Sequence, residues 1–314
     1  MKVHILSAED LIRTFGLIRF KDRLALYLKD GREDVLIHPM FFEDNVCSKA
    51  TTDKDFSLFQ RVHTVEDADI IVCPLYLELL AYWLGERTLS KFVQLFQYFE
   101  TLPKRVVVYW NHDADFSPAN SIVPKNVIVL NQGYTSSPGP QDILLPFWNV
   151  GVFPTLPKVQ FASFIGKANN ELRRRLIQSI HSYNRPDIIA ATQSYGENYT
   201  KSIAMTLFVL CPRGGLGTGG FSFRVFEAIQ AGSIPVIFVD RLCYPMTEHI
   251  PWDTICIRIP ESKVDDIPFV LSTLQAVDTA PMLQAIEDVK PRLRLRFLQQ
   301  YIHDRLSSTN AINV

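Results

Sequence analysis

No run of about 20 apolar residues occurs anywhere in the chain, so it offers no membrane span. Charge of one sign is just as scarce. The 32 Lys and Arg stand against 33 Asp and Glu, a formal net charge of −1. No global field draws nucleic acid or an anionic membrane, which leaves room only for a local basic cleft. The five cysteines, Cys47, Cys73, Cys211, Cys243 and Cys256, form no C-x-x-C pair. Scattered and odd in number, they argue against a disulfide scaffold or a structural zinc module and read as reduced, buried thiols. The opening MKVHILSAEDLIRTFG lacks a secretory core, because Ser7, Glu9 and Asp10 interrupt its apolar run. The expected setting is therefore cytoplasmic. Repeats and low-complexity tracts are also missing.

What is present is a globular chain of 314 residues, 47% hydrophobic and 21% charged. At about 150 residues per domain, this length predicts two domains. Short apolar runs alternate with amphipathic segments. The expected strands are Val3–Leu6, Val35–His38, Asp69–Cys73, Arg105–Trp110 and Asn126–Leu130, then Phe161–Gly166, Asp187–Thr192, Leu207–Cys211, Ile234–Asp240 and Thr254–Ile259. Helices are expected over Ser90–Thr101, Glu171–Ser182, Ser222–Ala231, Val264–Leu274 and Pro291–Leu306. Apolar strands separated by helices indicate βαβ units and parallel sheets covered on both faces. The Pro-, Gly- and Ser-rich stretch Thr135–Lys158 breaks this rhythm. The domains are accordingly placed at 1–155 and 156–290. Residues 291–314 then form a basic C-terminal helix, whose arginines read as a solvated face.

The informative segment is LFVLCPRGGLGTGGFSFRVFEAIQAGSIPVIFVD, residues 207–240. A buried strand leads into a glycine-rich loop holding Arg213. Ser222 is placed to cap the next helix, and Arg224 and Glu227, three apart, share a face of its first turns. Glycine loops and helix N-termini bind anions, and arginines add charge-assisted bonds to phosphate oxygens. Gly215, Gly217 and Gly220 also fit G-x-G-x-x-G, with Asp240 following at a strand end. That pattern makes an NAD(P)-dependent oxidoreductase one alternative, but Cys211–Gly214 separates the strand from those glycines. Asp113-Ala114-Asp115 forms a D-x-D after a strand, a pattern suited to a divalent metal, or simply a solvated turn. Glu78 reads as a helix-surface acid, with an acid at a cleft edge as the alternative. Tyr109, Trp110, Trp148 and Trp252 read as core aromatics.

Together these residues resemble the exostosin-type glycosyltransferase family. The ordered elements are Leu210–Gly214, Ser222–Arg224, Glu227–Ile229, Ala231–Ile237, Tyr244–Met246 and Ile250–Trp252, preceded by Phe161–Lys167 and Arg173–Arg175. His112-Asp113 is similar to the family's His-Asp element, and Ser233 stands where the family often has Cys. The resemblance implies an α/β GT-B fold, with two doubly wound, Rossmann-like domains facing across a cleft. The first domain would shape the acceptor site and the second would bind the donor, with the final helix crossing back to the first. It also implies inverting transfer from a nucleotide sugar, often a UDP-sugar, to a glycan or glycoconjugate hydroxyl. Arg213 and Arg224 would then hold the diphosphate. Ser222, Gly219 and Gly220 would line that pocket, Glu227 would bind ribose, and Gly166 and Lys167 would contribute from the first strand of the second domain. Asp113 is the candidate base and His112 the second candidate. With these cations on the leaving diphosphate, no metal or other cofactor is expected. A catalytically inactive glycan- or partner-binding module of the same fold is the other alternative.

Overall fold

A computed structural model describes residues 1–15, 58–77, 88–110, 122–132, 138–147, 151–192, 197–214, 222–241 and 243–308. Elements are numbered in chain order within these residues. The first half runs β1 (Lys2–Ile5), α1 (Ala8–Thr14), β2 (Gln60–Val62), β3 (Ile70–Tyr76), α2 (Thr88–Glu100), β4 (Arg105–Trp110), β5 (Val127–Asn131) and β6 (Asp142–Leu144). The strands lie in the order β2-β1-β3-β4-β5-β6, and all neighbours are parallel. The near-continuous apolar sequences of β4 (RVVVYW) and β5 (VIVLN) suit strands covered on both faces, and both are almost wholly buried.

The second half begins with β7 (Gln160–Ile165), α3 (Glu171–Tyr183), β8 (Ile188–Ala191), α4 (Glu197–Ala204) and β9 (Thr206–Pro212). It continues with α5 (Phe223–Gln230), β10 (Ile234–Phe238), α6 (Trp252–Ile255) and β11 (Ile257–Ile259). These five strands are again all parallel, in the order β11-β10-β9-β7-β8. Two parallel sheets with helical crossovers give the expected two-sheet α/β architecture. In the second sheet the chain leaves β7 in one direction and returns on its other side at β9. Open α/β sheets place ligands at the carboxyl ends of the strands flanking such a reversal. Those ends are Ile165–Gly166 and Pro212–Arg213.

The Lys158 ammonium, ahead of β7, donates to Ala204 O (2.7 Å), Ala231 O (2.9 Å) and Ser233 Oγ (2.7 Å). A cation thus sits at the carboxyl ends of both α4 and α5, where the helix dipoles favour it. After β11 come α7 (Ile267–Gln275), α8 (Thr279–Val289) and α9 (Leu295–Ser308). Leu298, Ile302 and Leu306 form the buried stripe of α9. This last helix reaches the first sheet: Arg105 Nη2 donates to Leu306 O at 2.7 Å, and the Phe59 and His303 rings meet edge-on at 5.9 Å.

Three expectations change in detail. Thr254–Ile259 is not one strand: Trp252–Ile255 forms a helical turn behind Pro251, and pairing begins only at Ile257. Pro291–Leu306 is not one helix either. Lys290–Leu293 form a 3₁₀ turn, Arg294 is extended, and α9 starts at Leu295. The stretch Thr135–Lys158 carries no helix among its described residues but does supply the edge strand β6. The expected strand Val35–His38 lies outside the described residues.

Candidate functional site

At the β7/β9 reversal, Asn169, Arg173, Tyr199, Gly214, Ser222, Phe223, Arg224 and Glu227 line a cavity of about 270 Å³. Ser222 has extended backbone and caps α5, its Oγ accepting from Arg224 N at 3.4 Å. The cap places the start of α5, where the helix dipole is positive, at the cavity wall. Two turns of α5 carry buried apolar side chains on one side (Val225, Phe226, Ala228, Ile229) and Arg224 and Glu227 on the cavity side.

Arg224 is only 8% exposed, yet among the described residues its Nε meets no acceptor. Nη2 donates to Tyr199 Oη at 3.3 Å, and the guanidinium lies over the Phe164 ring at 5.1 Å. Burying a charge without full hydrogen bonding is costly, so the site is built for a further, anionic partner.

The second cation is Arg173. It is 7% exposed, and its neighbours fix it firmly. Nε donates to Arg213 O (3.0 Å), Nη1 to Lys167 O (3.3 Å) and Asn169 Oδ1 (3.2 Å), and Nη2 to Pro212 O (3.3 Å) and Ser222 Oγ (3.3 Å). Asn170 caps α3, accepting from Arg173 N and donating to Arg213 O at 2.9 Å. Among the described residues the lining therefore holds two arginines and a single carboxylate, Glu227. Burial pushes the Glu227 carboxyl above its ordinary value, while hydrogen bonding from Tyr199 Oη and the nearby Arg224 charge oppose that rise.

Two glycines owe their place to these arginines. A Cβ at Gly166 would fall 2.6 Å from Arg224 Nη2 and 2.9 Å from Nη1; one at Gly214 would fall 2.8 Å from Arg173 Nη2. Gly166 thus makes room for the Arg224 guanidinium. Gly166→Ala is expected to displace Arg224 and weaken binding of a diphosphate ligand at least about tenfold, with the melting temperature close to the parent's. Calorimetric titration checks this.

Arg213 does not line the cavity. Its Nε donates to Glu261 Oε1 at 2.7 Å and its Nη2 to Glu261 Oε2 at 3.3 Å, so the side chain turns toward the end of β11, and Arg173 is the arginine that joins Arg224. The Lys167 side chain is exposed, and its contribution here is the carbonyl that receives Arg173. Asp240 accepts from Glu261 N at 3.1 Å and so starts the following 3₁₀ turn. Ser222, Arg224 and Glu227 do meet at the cavity. His112, Asp113, Gly219 and Gly220 lie outside the described residues, as do Glu78 and Trp148. Among the described residues no cluster of three or more His, Cys, Asp or Glu is arranged to hold a metal, and no helix is long and apolar enough to cross a membrane. Asn170 and Tyr199 are additions to the residues singled out in the sequence, and Arg173, there only part of the Arg173–Arg175 element, gains a place at the cavity. Asn170 ahead of an arginine-bearing helix is a readable cap signal; Tyr199 on the polar helix ENYTKSIA left none.

Residues 151–274 match the exostosin GT47 domain. Over 88 residues the chain is 33% identical to the probable glucuronosyltransferase GUT1 of Oryza sativa subsp. japonica, covering 28% of this chain and 20% of that protein. Over 76 residues it is 33% identical to the probable β-1,4-xylosyltransferase IRX10 of Arabidopsis thaliana, covering 24% and 18%. The matched segments thus span about a fifth of these relatives' length. Among solved structures, Anabaena HepE in complex with UDP-glucose superposes with a TM-score of 0.49 at 11% identity, over 77% of this chain and 79% of that one. Every described residue that lines the cavity falls within residues 151–274, the segment similar to that exostosin domain.

Proposed function

We propose that the chain is an inverting, metal-independent glycosyltransferase that moves a sugar from a nucleotide sugar, a UDP-sugar, to a hydroxyl of a glycan or glycoconjugate. The observation that carries this reading is the buried Arg224 at the capped N-terminus of α5, whose Nε has no partner among the described residues. The donor's diphosphate would lie between Arg224, Arg173 and the first N–H groups of α5. Glu227, one turn in, would accept from the ribose hydroxyls. The names of the plant relatives, one a probable glucuronosyltransferase and one a probable xylosyltransferase, agree with sugar transfer.

Bond making and breaking follow from that placement. An acceptor hydroxyl attacks the anomeric carbon from the face opposite the diphosphate. Its proton passes to a base, for which Asp113 and then His112, just beyond the carboxyl end of β4, are the candidates. The C–O bond to the diphosphate breaks, and the negative charge that develops there is met by donors already in place, the most effective form of electrostatic catalysis.

A thermal-shift screen of UDP-, GDP- and CMP-sugars tests the reading. At 100 times its Kd, a UDP-sugar should stabilise the fold by about 2.7 kcal/mol, and transfer should persist in EDTA. Loss of activity on chelation, restored by Mn²⁺, would instead assign the diphosphate to a metal at Asp113-Ala114-Asp115. Binding without turnover of any donor would favour an inactive recognition module.

A further inference from the structure

Tyr199 lines the cavity, and the transfer chemistry gives it no role. It stands on α4, and its hydroxyl donates to Glu227 Oε2 while accepting from Arg224 Nη2 at 3.3 Å. Its ring also lies under the guanidinium, 5.9 Å away. Arg224 and Glu227, both on α5, form no direct ion pair; the phenol stands between them. Because a phenol has one proton, the direction of this relay is set: the proton goes to the carboxylate and a lone pair faces the cation. The hydroxyl thus holds the ribose-facing group, whereas the diphosphate-facing Arg224 is also held over the Phe164 ring at 5.1 Å.

We infer that Tyr199 is a positioning residue that makes the pocket select ribonucleotides over deoxyribonucleotides, by holding the Glu227 carboxylate where the ribose 2′- and 3′-hydroxyls reach it. The inference rests on the donor-pocket reading above. A site built to hydrogen-bond a hydroxyl discriminates strongly against the analogue that lacks it, because its own acceptor is then left unpaired. That discrimination requires an ionised, fixed carboxylate. The titratable and charged groups facing Glu227 are Tyr199 from α4, Arg224 on its own helix and the Cys211 thiol from β9, with Arg173 on the same cavity from α3. Burial already pushes Glu227 up, so removing the Tyr199 O–H raises it further, and the acid gains its proton at a higher pH. The preference for ribose should then be lost as pH falls through that raised value and return as pH rises above it.

The experiment is calorimetric titration of UDP, 2′-deoxy-UDP and inorganic pyrophosphate into the parent protein, Tyr199→Phe and Glu227→Gln. The Glu227 carboxyl is also followed by NMR in the unliganded parent and Tyr199→Phe. The parent should prefer UDP over 2′-deoxy-UDP by about tenfold or more. In Tyr199→Phe at neutral pH the preference should shrink toward that of Glu227→Gln and recover at higher pH. Pyrophosphate should bind within about threefold of the parent, and the Glu227 midpoint should rise. Equal weakening of all three ligands, or an unchanged preference with an unchanged Glu227 midpoint, overturns the inference while leaving the donor-pocket reading intact. A parent protein that binds neither UDP nor pyrophosphate overturns both.

Discussion

Arg224→Ala is expected to lower kcat/KM for sugar transfer by about a thousandfold, roughly 4 kcal/mol of transition-state stabilisation. The size follows from burial. A guanidinium 8% exposed, over an aromatic face and with no partner for Nε among the described residues, meets the leaving diphosphate where water screens little. Arg224→Lys should recover only a small part, because an ammonium cannot reproduce the planar two-nitrogen edge that fits a phosphate. The fold should survive. Within the described residues Arg224 donates one side-chain hydrogen bond, to Tyr199, so little protein structure depends on it. Steady-state kinetics with a circular-dichroism control checks both parts.

Arg173→Ala is expected to do the opposite: a large loss of stability, with loss of donor binding as its consequence. Arg173 ties together the turn after β7, the turn after β9 and the cap of α5 through five oxygens. Its removal leaves buried carbonyls at Pro212 and Arg213 short of donors, each costing about 1–3 kcal/mol. The expected total is about 3 kcal/mol in urea unfolding, after partial relaxation onto Asn170, which also donates to Arg213 O. A loss below about 1 kcal/mol would mean that Arg173 acts as an exposed charge and not as the strut of the site.

The contrast between Arg173, Arg213 and Arg224 shows what the sequence makes legible. Arg224 and Glu227 were readable because helical spacing alone puts residues three apart on one face, and Ser222 because capping is a local interaction. Strand β4 was readable to the residue because a strand buried on both faces is an uninterrupted apolar run. Which arginine meets the cavity was not readable. Arg213 sits in the motif, but Glu261, 48 residues along the chain, draws it away, and that contact exists only once β9, β10 and β11 are assembled. Arg173 belongs to a helix whose arginines look alike in sequence; Arg174 and Arg175 instead pair with Glu171 and Asp265 near the surface. Likewise, α8 escaped notice although Asp278 caps it and Met282, Ile286 and Val289 are spaced as one helical face. Pro281 near its start obscured the period. The strand expected at Thr254–Ile259 failed because β-branched residues weigh toward strand, while burial of Trp252 and Ile255 selected a helical turn.

The central claim, that the cavity at the N-terminus of α5 seats a nucleotide diphosphate on Arg224, is tested most directly by calorimetric titration of UDP into the parent protein and Arg224→Ala. Saturable binding by the parent, weakened at least about a hundredfold in the variant, is the predicted result. Equal affinity of the two proteins for UDP would contradict it.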